Sequence, residues 1–433
     1  MTRKMKDSGV EWIGEIPEEW DTFRIAKIAE FINGYAFSSE ELKEDEEVAV
    51  IRIGDIKEKG IDYISCLKYP NCESLNNFMI HDNDILIAMS GATAGKSSYI
   101  TNVKKAYINQ RVGIIRGGEN SKFIYYCLNN NSFNSYVNLL AGGSAQPNIS
   151  AKNILEYRIP KILLKEQKKI VSYLDEKCNK IDQTIEKEKQ VIEKLKEYKQ
   201  SVITEAVTKG LNPDVKMKDS GVEWIGEIPE HWTISRFCFE TWVRARLGWK
   251  GLKADEYVDD GYIFLATPNI KNKDIDFENV NYINKFRYDE SPEIKLSVGD
   301  VLLTKDGSTL GTVNVIRELP KEATVNSSIA VITPGNNICG IFLMYYIKGD
   351  YIQTIINNKK DGMGVPHLFQ KDINKMNLIC PPLNEQQQIA DYLDKKCSAI
   401  DKLISSKEKL IDKLTEYKKS LIYECVTGKR EVQ

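Results

Sequence analysis

Histidine is scarce: His81, His231 and His367 are the only three in 433 residues. So few histidines argue against a histidine-rich metal site. The nine cysteines contain no Cys-x-x-Cys pair, so no zinc or disulfide framework follows, and their odd number suggests reduced thiols in a cytoplasm. No apolar run approaches the ~18–20 residues of a membrane span. The opening "MTRKMKDSG" lacks the apolar core of a signal peptide. With 60 Lys+Arg against 62 Asp+Glu, the formal charge is only −2, so any nucleic-acid surface must be local. No Ser/His/Asp or Cys/His arrangement and no Asp/Asn-Pro-Pro-Tyr/Phe methyltransferase signature is present, which leaves an enzyme reading weak.

One segment resembles a phosphate loop. In "GATAGKS" (91–97) only three residues separate Gly91 from Gly95, one short of the Walker spacing, and the matching "GSTLGTV" (307–313) lacks the lysine. The plain reading is a tight strand-to-strand turn. Two others stand beside it: a nucleotide hydrolase on Gly91–Ser97, and a turn whose amides and Lys96 touch a nucleic-acid phosphate.

What the chain has is repetition. "MKDSGVEWIGEIPE" occupies residues 5–18 and again 217–230. A second block, from Glu166 through "VT" at 207–208, aligns without gaps with the block from Glu385, and neither copy contains Gly or Pro. Both are rich in good helix formers. Their apolar seats step alternately by four and three, as a coiled-coil seam requires. The seats are Leu174, Cys178, Ile181, Ile185, Glu188, Ile192, Leu195, Lys199 and Val202, matched by Leu393, Cys397, Ile400, Ile404, Lys407, Ile411, Leu414, Lys418 and Leu421. Each helix would be ~65 Å long, and the natural cover for its stripe is the other copy.

The chain thus divides at "GLNPDVK" (210–216) into two halves of box, globular segment and long helix. The boundaries are 1–160 for the box and first recognition segment, 161–212 for the first helix and linker, 213–380 for the second box and segment, and 381–433 for the second helix. The pattern is circular. It predicts termini close together, a pseudo-twofold axis, antiparallel helices, and Glu188 meeting Lys407 at the middle seat.

Between box and helix the halves have diverged. "DNDILIAMSGATAGK" (82–96) echoes "VGDVLLTKDGSTLGT" (298–312), "INQRVGII" (108–115) echoes "VNSSIAVI", and "GGSAQPNI" (142–149) echoes "DGMGVPHL". Runs such as "VAVIRI", "ILIA" and "VGII" read as strands, and "KFIYYCLNN" and "IFLMYYIKG" as short helices. The fold class is α+β: two mixed α/β globular domains with two long antiparallel coiled-coil helices and an internal pseudo-twofold repeat. Residues 96–122 carry six basic side chains against one acid, and 236–253 five against one. Such stretches, interleaved with aromatics and amides, suit DNA, although a solvated basic face explains the runs equally well. The box residues Trp12, Trp20, Trp224 and Trp232 make either helix-base core or a docking patch, and off-seam identities such as Asp175/Asp394 favour two copies of one partner.

Taken together, "KDSGVEWIGEIPEEW", "KDSGVEWIGEIPEHW", "GGSAQPNIS", "CPPLNEQQQIADYLD" and the long helix after each globular segment resemble the specificity subunits of type I restriction–modification systems, over essentially the whole length. The resemblance implies two target recognition domains, each reading half of a bipartite double-stranded DNA site, with the helices as a ruler between them. It implies no catalysis in this chain. Two methyltransferase subunits using S-adenosylmethionine, and two restriction subunits using ATP and Mg, would dock on it in the cytoplasm, with no membrane involved. DNA contacts are expected in the first half from Tyr35, Phe37 and Ser38, from Ser90, Thr93 and Lys96, and from Asn109, Gln110 and Arg111. In the second half they are expected from Arg246, Trp249 and Lys250, from Lys305, Ser308 and Thr309, and from Asn326 and Ser327. The rival is a coiled-coil adaptor carrying two protein-binding modules and making no DNA contact.

Overall fold

A computed structural model describes residues 3–57, 60–141, 147–246, 252–358 and 367–432. Its main helices are α1 (Ser121–Leu128), α2 (Leu164–Lys209), α3 (Gly340–Lys348) and α4 (Leu383–Val426). The long pair, α2 and α4, start and stop within two residues of the repeated block, since nothing inside that block breaks a helix. Their covered positions follow the predicted seam. In α2 these are Ile181, Ile185, Glu188, Ile192, Leu195, Lys199, Val202 and Ala206; in α4 they are Cys397, Ile400, Ile404, Lys407, Ile411, Leu414, Lys418 and Leu421. Leu174 and Leu393 are fully buried.

The chain forms two compact units, Met1–Lys189 with Glu408–Gln433, and Gln190–Lys407. Each unit therefore joins one globular segment to the first part of one long helix and the last part of the other.

In the first unit, β1 (Glu30–Asn33), β2 (Val48–Ile51), β3 (Ile85–Ala88), β4 (Ser97–Tyr99), β5 (Ala106–Ile108) and β6 (Val112–Arg116) follow the β-branched runs. An antiparallel sheet has the order β4-β3-β6-β1, and β5 pairs in parallel with β2. Strand alternation divides the core. Ile85, Ile87 and Ile115 pack with α1 and the long helices, while Leu86, Ala88 and Ile114 face a second layer with Ile51 and Ile108. Both faces are covered, which is why these strands read as unbroken apolar runs.

The second unit has β7 (Thr241–Arg244), β8 (Tyr262–Leu265), β9 (Val301–Thr304), β10 (Val313–Val315), β11 (Ala323–Val325) and β12 (Ile329–Pro334). Its sheet order is β10-β9-β12-β7, with β8 parallel to β11. Place for place, this is the order of the first unit.

Each sheet encloses a buried carboxylate, but the cation comes from different strands. Asp84, just before β3, accepts two 2.8 Å bonds from Arg116 at the end of β6. Asp300, just before β9, takes a 2.7 Å bond from Arg244 on β7, and Thr333 of β12 stands where Arg116 would be. Arg116 and Arg244, two cations of the basic stretches, are thus structural.

The duplicated box folds both times as the same hairpin: Met5–Asp7 pairs with Glu15–Pro17, and Met217–Asp219 with Glu227–Pro229. Each hairpin closes on the end of a long helix. Gly428, at φ +72°, sits so close to Pro17 and Trp20 that a Cβ there would lie 2.6 Å from the proline ring, and Gly210, at φ +78°, packs on Trp232. The Tyr423 hydroxyl donates to the Ile13 carbonyl at 2.8 Å. The last turn of α4 thus rests on the first box, as the circular pattern predicts. Trp20 and Trp232 are 3% and 0% exposed, so they are core and offer no docking surface. Trp12 stacks on Tyr157, while Trp224 is exposed.

Two predictions follow from these contacts. Arg244→Ala leaves Asp300 buried without its cation. It is expected to cost roughly 3–5 kcal/mol, read as a lowered urea midpoint of the second unit, and Arg244→Lys should recover only part because it lacks the fork of donors. At the end of α3, Lys348 donates to the Asn272 carbonyl at 2.9 Å. Its ammonium is held down to about 8, first by burial and then by the charge of Lys199. Between that value and the ordinary lysine value near 10.5 the unfolded chain binds more protons, so this group's contribution to stability rises with pH. The stability advantage of Lys348→Met over the natural chain should be largest near pH 7 and shrink as pH rises past 8, measured by urea titration at each pH.

Candidate nucleic-acid interface

In the first unit the glycine-rich segment is the turn between β3 and β4. Its form is set by the backbone: Lys96 N donates to Thr93 O at 2.9 Å, Gly95 N to Ala88 O at 2.8 Å, and Gly91 and Gly95 take φ of +78° and +84°. The second unit repeats the turn between β9 and β10, with Thr312 N to Thr309 O at 3.0 Å and Gly311 N to Thr304 O at 2.9 Å. The segment joins two antiparallel strands. A phosphate loop would lead from a strand into a helix, so the nucleotide-hydrolase reading fails and the plain turn stands.

Main-chain bonds then gather three further segments around this turn. Met89 N donates to Arg111 O and Ile149 N to Met89 O, both at 2.9 Å, and Gly91 N donates to Pro147 O at 3.0 Å. Tyr35 N donates to Ile108 O at 3.0 Å, bringing the loop after β1 beside Asn109. The result is a cleft of ≈ 510 Å³ lined by Ser90, Gln110, Arg111, Pro147 and Asn148 among others. Gln110, Arg111 and Asn148 are exposed and Asn109 is half-buried. The Ser90 hydroxyl has no partner among the described residues. Amides, a guanidinium and hydroxyls on one concave surface, held by backbone bonds, suit base edges and phosphates.

The second unit makes the same bonds with other side chains. Lys305 N donates to Ser328 O at 2.8 Å and Leu368 N to Lys305 O at 2.9 Å, and Asn326 N binds Leu265 O as Asn109 N binds Ile51 O, both at 2.9 Å. His367 stands at the place of Asn148 and meets the Asp306 carboxylate, which stands at the place of Ser90. Ser308 and Ser327 are exposed, and Thr309 and Asn326 half-buried.

Several expected contacts lie elsewhere. Phe37 is 9% exposed and packs with Val48, Val50 and Tyr107; its neighbours Tyr35 and Ser38 are exposed. Lys305 is buried, its ammonium 3.3 Å from Asp306, so it is no free phosphate contact. Arg246 is half-buried and lies 3.6 Å from Glu290. Trp249 and Lys250 fall outside the described residues. Thr93 and the exposed Lys96 are on the far side of the turn, facing a larger cleft.

Asp175 and Asp394, taken from sequence as partner contacts, instead bind the recognition segments. The Tyr126 hydroxyl donates to Asp175 at 2.5 Å, with the Lys122 ammonium 3.3 Å away. Tyr345 donates to Asp394 at 2.8 Å, and Arg317 forms two bonds to the same carboxylate. Burial, and then these carboxylates, push both phenols well above the ordinary tyrosine range. The two tyrosines occupy matching places in α1 and α3, a signal already present in "KFIYYCL" and "IFLMYYI". Asn148 and His367 were likewise legible in the aligned "GGSAQPNI" and "DGMGVPHL".

Known proteins share this plan. The chain is 24% identical to the type I restriction enzyme MjaVIII specificity subunit of Methanocaldococcus jannaschii, over 96% of this chain and 94% of that one. It is 22% identical to the EcoBI specificity subunit of Escherichia coli, over 100% and 90%. In three dimensions it matches a chain from a structural study of complex assembly and conformational transition of the type I R-M system, with a TM-score of 0.72 at 14% identity, covering 95% of this chain and 98% of that one. Among the described residues no helix is long and apolar enough to cross a membrane. The family profile for the type I restriction modification DNA specificity domain matches residues 17–197 and 250–416, and the chain belongs to that family.

Proposed function

We propose that each unit reads one half of a bipartite, asymmetric target in double-stranded DNA, and that α2 and α4 set the distance between the halves. One observation carries this reading: the same backbone bonds hold Asn109-Gln110-Arg111 in one unit and Asn326-Ser327-Ser328 in the other. One scaffold with two sets of side chains suits two unlike half-sites. In the proposed assembly the chain itself is non-catalytic. Two methyltransferase subunits with S-adenosylmethionine and two restriction subunits with ATP and Mg supply the chemistry, and Trp224 is the box tryptophan exposed enough to meet a partner.

The ruler is proposed as an antiparallel coiled coil with a pseudo-twofold axis. Lys418 binds Asp182 at 2.8 Å within the first unit, and Lys199 binds Asp401 at 2.7 Å within the second. Lys199 and Lys418 are repeat equivalents, as are Asp182 and Asp401. As the α2 number rises between the two pairs, its α4 partner falls, the order antiparallel helices produce.

Three outcomes test this reading. Mapping N6-methyladenine in the host with the gene intact and then deleted should reveal a split, asymmetric motif that vanishes on deletion; a host that expresses its methyltransferase yet keeps an unchanged methylome would favour the adaptor. Gln110→Ala and Arg111→Ala should each cost ~1–3 kcal/mol at positions of one half-site only, and Ser327→Ala should act on the other. A double-mutant cycle on Asp182 and Lys418 should give a coupling of about 1 kcal/mol in chemical denaturation.

A further inference from the structure

We infer that the long helices belong to the DNA-binding surface: a cleft between the first recognition segment and both helices holds the phosphodiester backbone beside one half-site, with Lys96 and Lys419 as its cations. The inference rests on the DNA reading proposed above and extends it to residues of the ruler.

The cleft lies within the first unit and measures ≈ 1060 Å³. Its walls come from the β3–β4 turn, from α1, from residues 175–183 of α2 and from residues 415–422 of α4. The turn is shared. Ser90 and Gly91 line the smaller reading cleft, while Thr93 and Lys96 line this one. A strand whose bases lie against Gln110 and Arg111 would continue past the turn with its phosphates over the larger cleft.

The charges of the cleft are unevenly committed. It is lined by Lys96, Lys122, Lys418 and Lys419 against Asp175 and Asp182. Asp182 is taken by Lys418 at 2.8 Å, with both side chains largely covered. Asp175 is taken by Tyr126 and Lys122. Lys96 and Lys419 form no ion pair among the described residues, and the exposed carboxamides of Asn179 and Gln183 border the same space. Two uncommitted ammonium groups with amide donors nearby match successive phosphates of one strand. An acidic protein segment would meet the same charge. Continuity with the base-reading cleft through a single turn favours DNA.

The second unit lacks this chemistry at the equivalent places. Thr312 stands where Lys96 is. Gln200 stands where Lys419 is, and it turns inward to the Lys348 carbonyl at 2.7 Å and to Asp350 at 2.8 Å. The backbone contact is therefore one-sided, flanking only the half-site read by the first unit.

The test uses the full chain assembled with its methyltransferase subunits, a duplex carrying the methylated motif and a scrambled duplex, at several salt concentrations. Lys96→Ala/Lys419→Ala should weaken both duplexes alike, on the order of tenfold at low salt, and lower the slope of log K against log salt by about 2. Its hydroxyl-radical footprint should lose protection beside one half-site, with a wild-type circular dichroism spectrum. Arg111→Ala, by contrast, should reduce the preference between the duplexes and leave the scrambled one bound as before. If the natural assembly shows no preference for its motif, the DNA reading itself fails. If it prefers its motif while the double variant keeps the full slope, the cleft inference is overturned. The same holds if the variant binds DNA normally but no longer retains a methyltransferase subunit, the result an acidic protein segment would give.

Discussion

Two helices of 46 and 44 residues, each bearing one apolar stripe, cannot be stable alone in water. Everything else in the molecule answers that constraint. Leu174, Cys178 and Ile181 of α2 share a core with Leu421, Ile422 and Cys425 of α4 and with the sheet of the first unit. Val202, Ile203 and Ala206 share one with Ile389, Leu393 and Cys397 and the sheet of the second. Each recognition segment is thus a cover for helix surface as well as a reader. The duplicated hairpin has the same origin: a helix end with an exposed apolar turn needs a lid, and Pro17–Trp20 and Pro229–Trp232 supply it, with a glycine where the indole comes closest.

This division of labour explains how two segments can differ so much in sequence and agree so closely in shape. The loops of the reading clefts are held by amide-to-carbonyl bonds, which are indifferent to side-chain identity. Apolar side chains on both covered faces fix the sheets. What remains free is the outward side chain at a handful of positions. Exchanging Asn148 for His367, or Ser90 for Asp306, alters the chemistry presented without removing a bond that shapes the loop.

Much of this was legible in the chain. Helix limits followed from the gapless, glycine-free blocks, the covered stripe of each long helix from the four–three spacing, and the strands from their β-branched runs. The loops that occupy matching places in the two units were located by weak echoes between the halves. What periodicity could not convey was the direction of single side chains. Phe37 stands between the exposed Tyr35 and Ser38 yet faces inward. Arg116 and Arg244 resemble neighbouring surface cations, and only the fold reveals the aspartates 32 and 56 residues away that fix them. Lys305 looks like a phosphate contact until its neighbour Asp306 is seen beside it. Asp175 and Asp394 were rightly singled out as shared, but sequence identity between copies cannot tell a partner's contact from an internal one.

The buried aspartates also bear on how such a chain can change over generations. In the first unit the carboxylate is bound by Arg116, and the sheet register puts Ile32 at the place of Arg244; in the second it is bound by Arg244 and Thr333. Each pair holds one guanidinium, contributed from opposite edges of the pairing between neighbouring strands. A crossover falling between those strands would yield either isoleucine with threonine, stranding a carboxylate in the core, or two arginines competing for it. An exchange between the two halves of this chain would therefore keep the buried pairing only if each segment moved whole, from its box to its long helix.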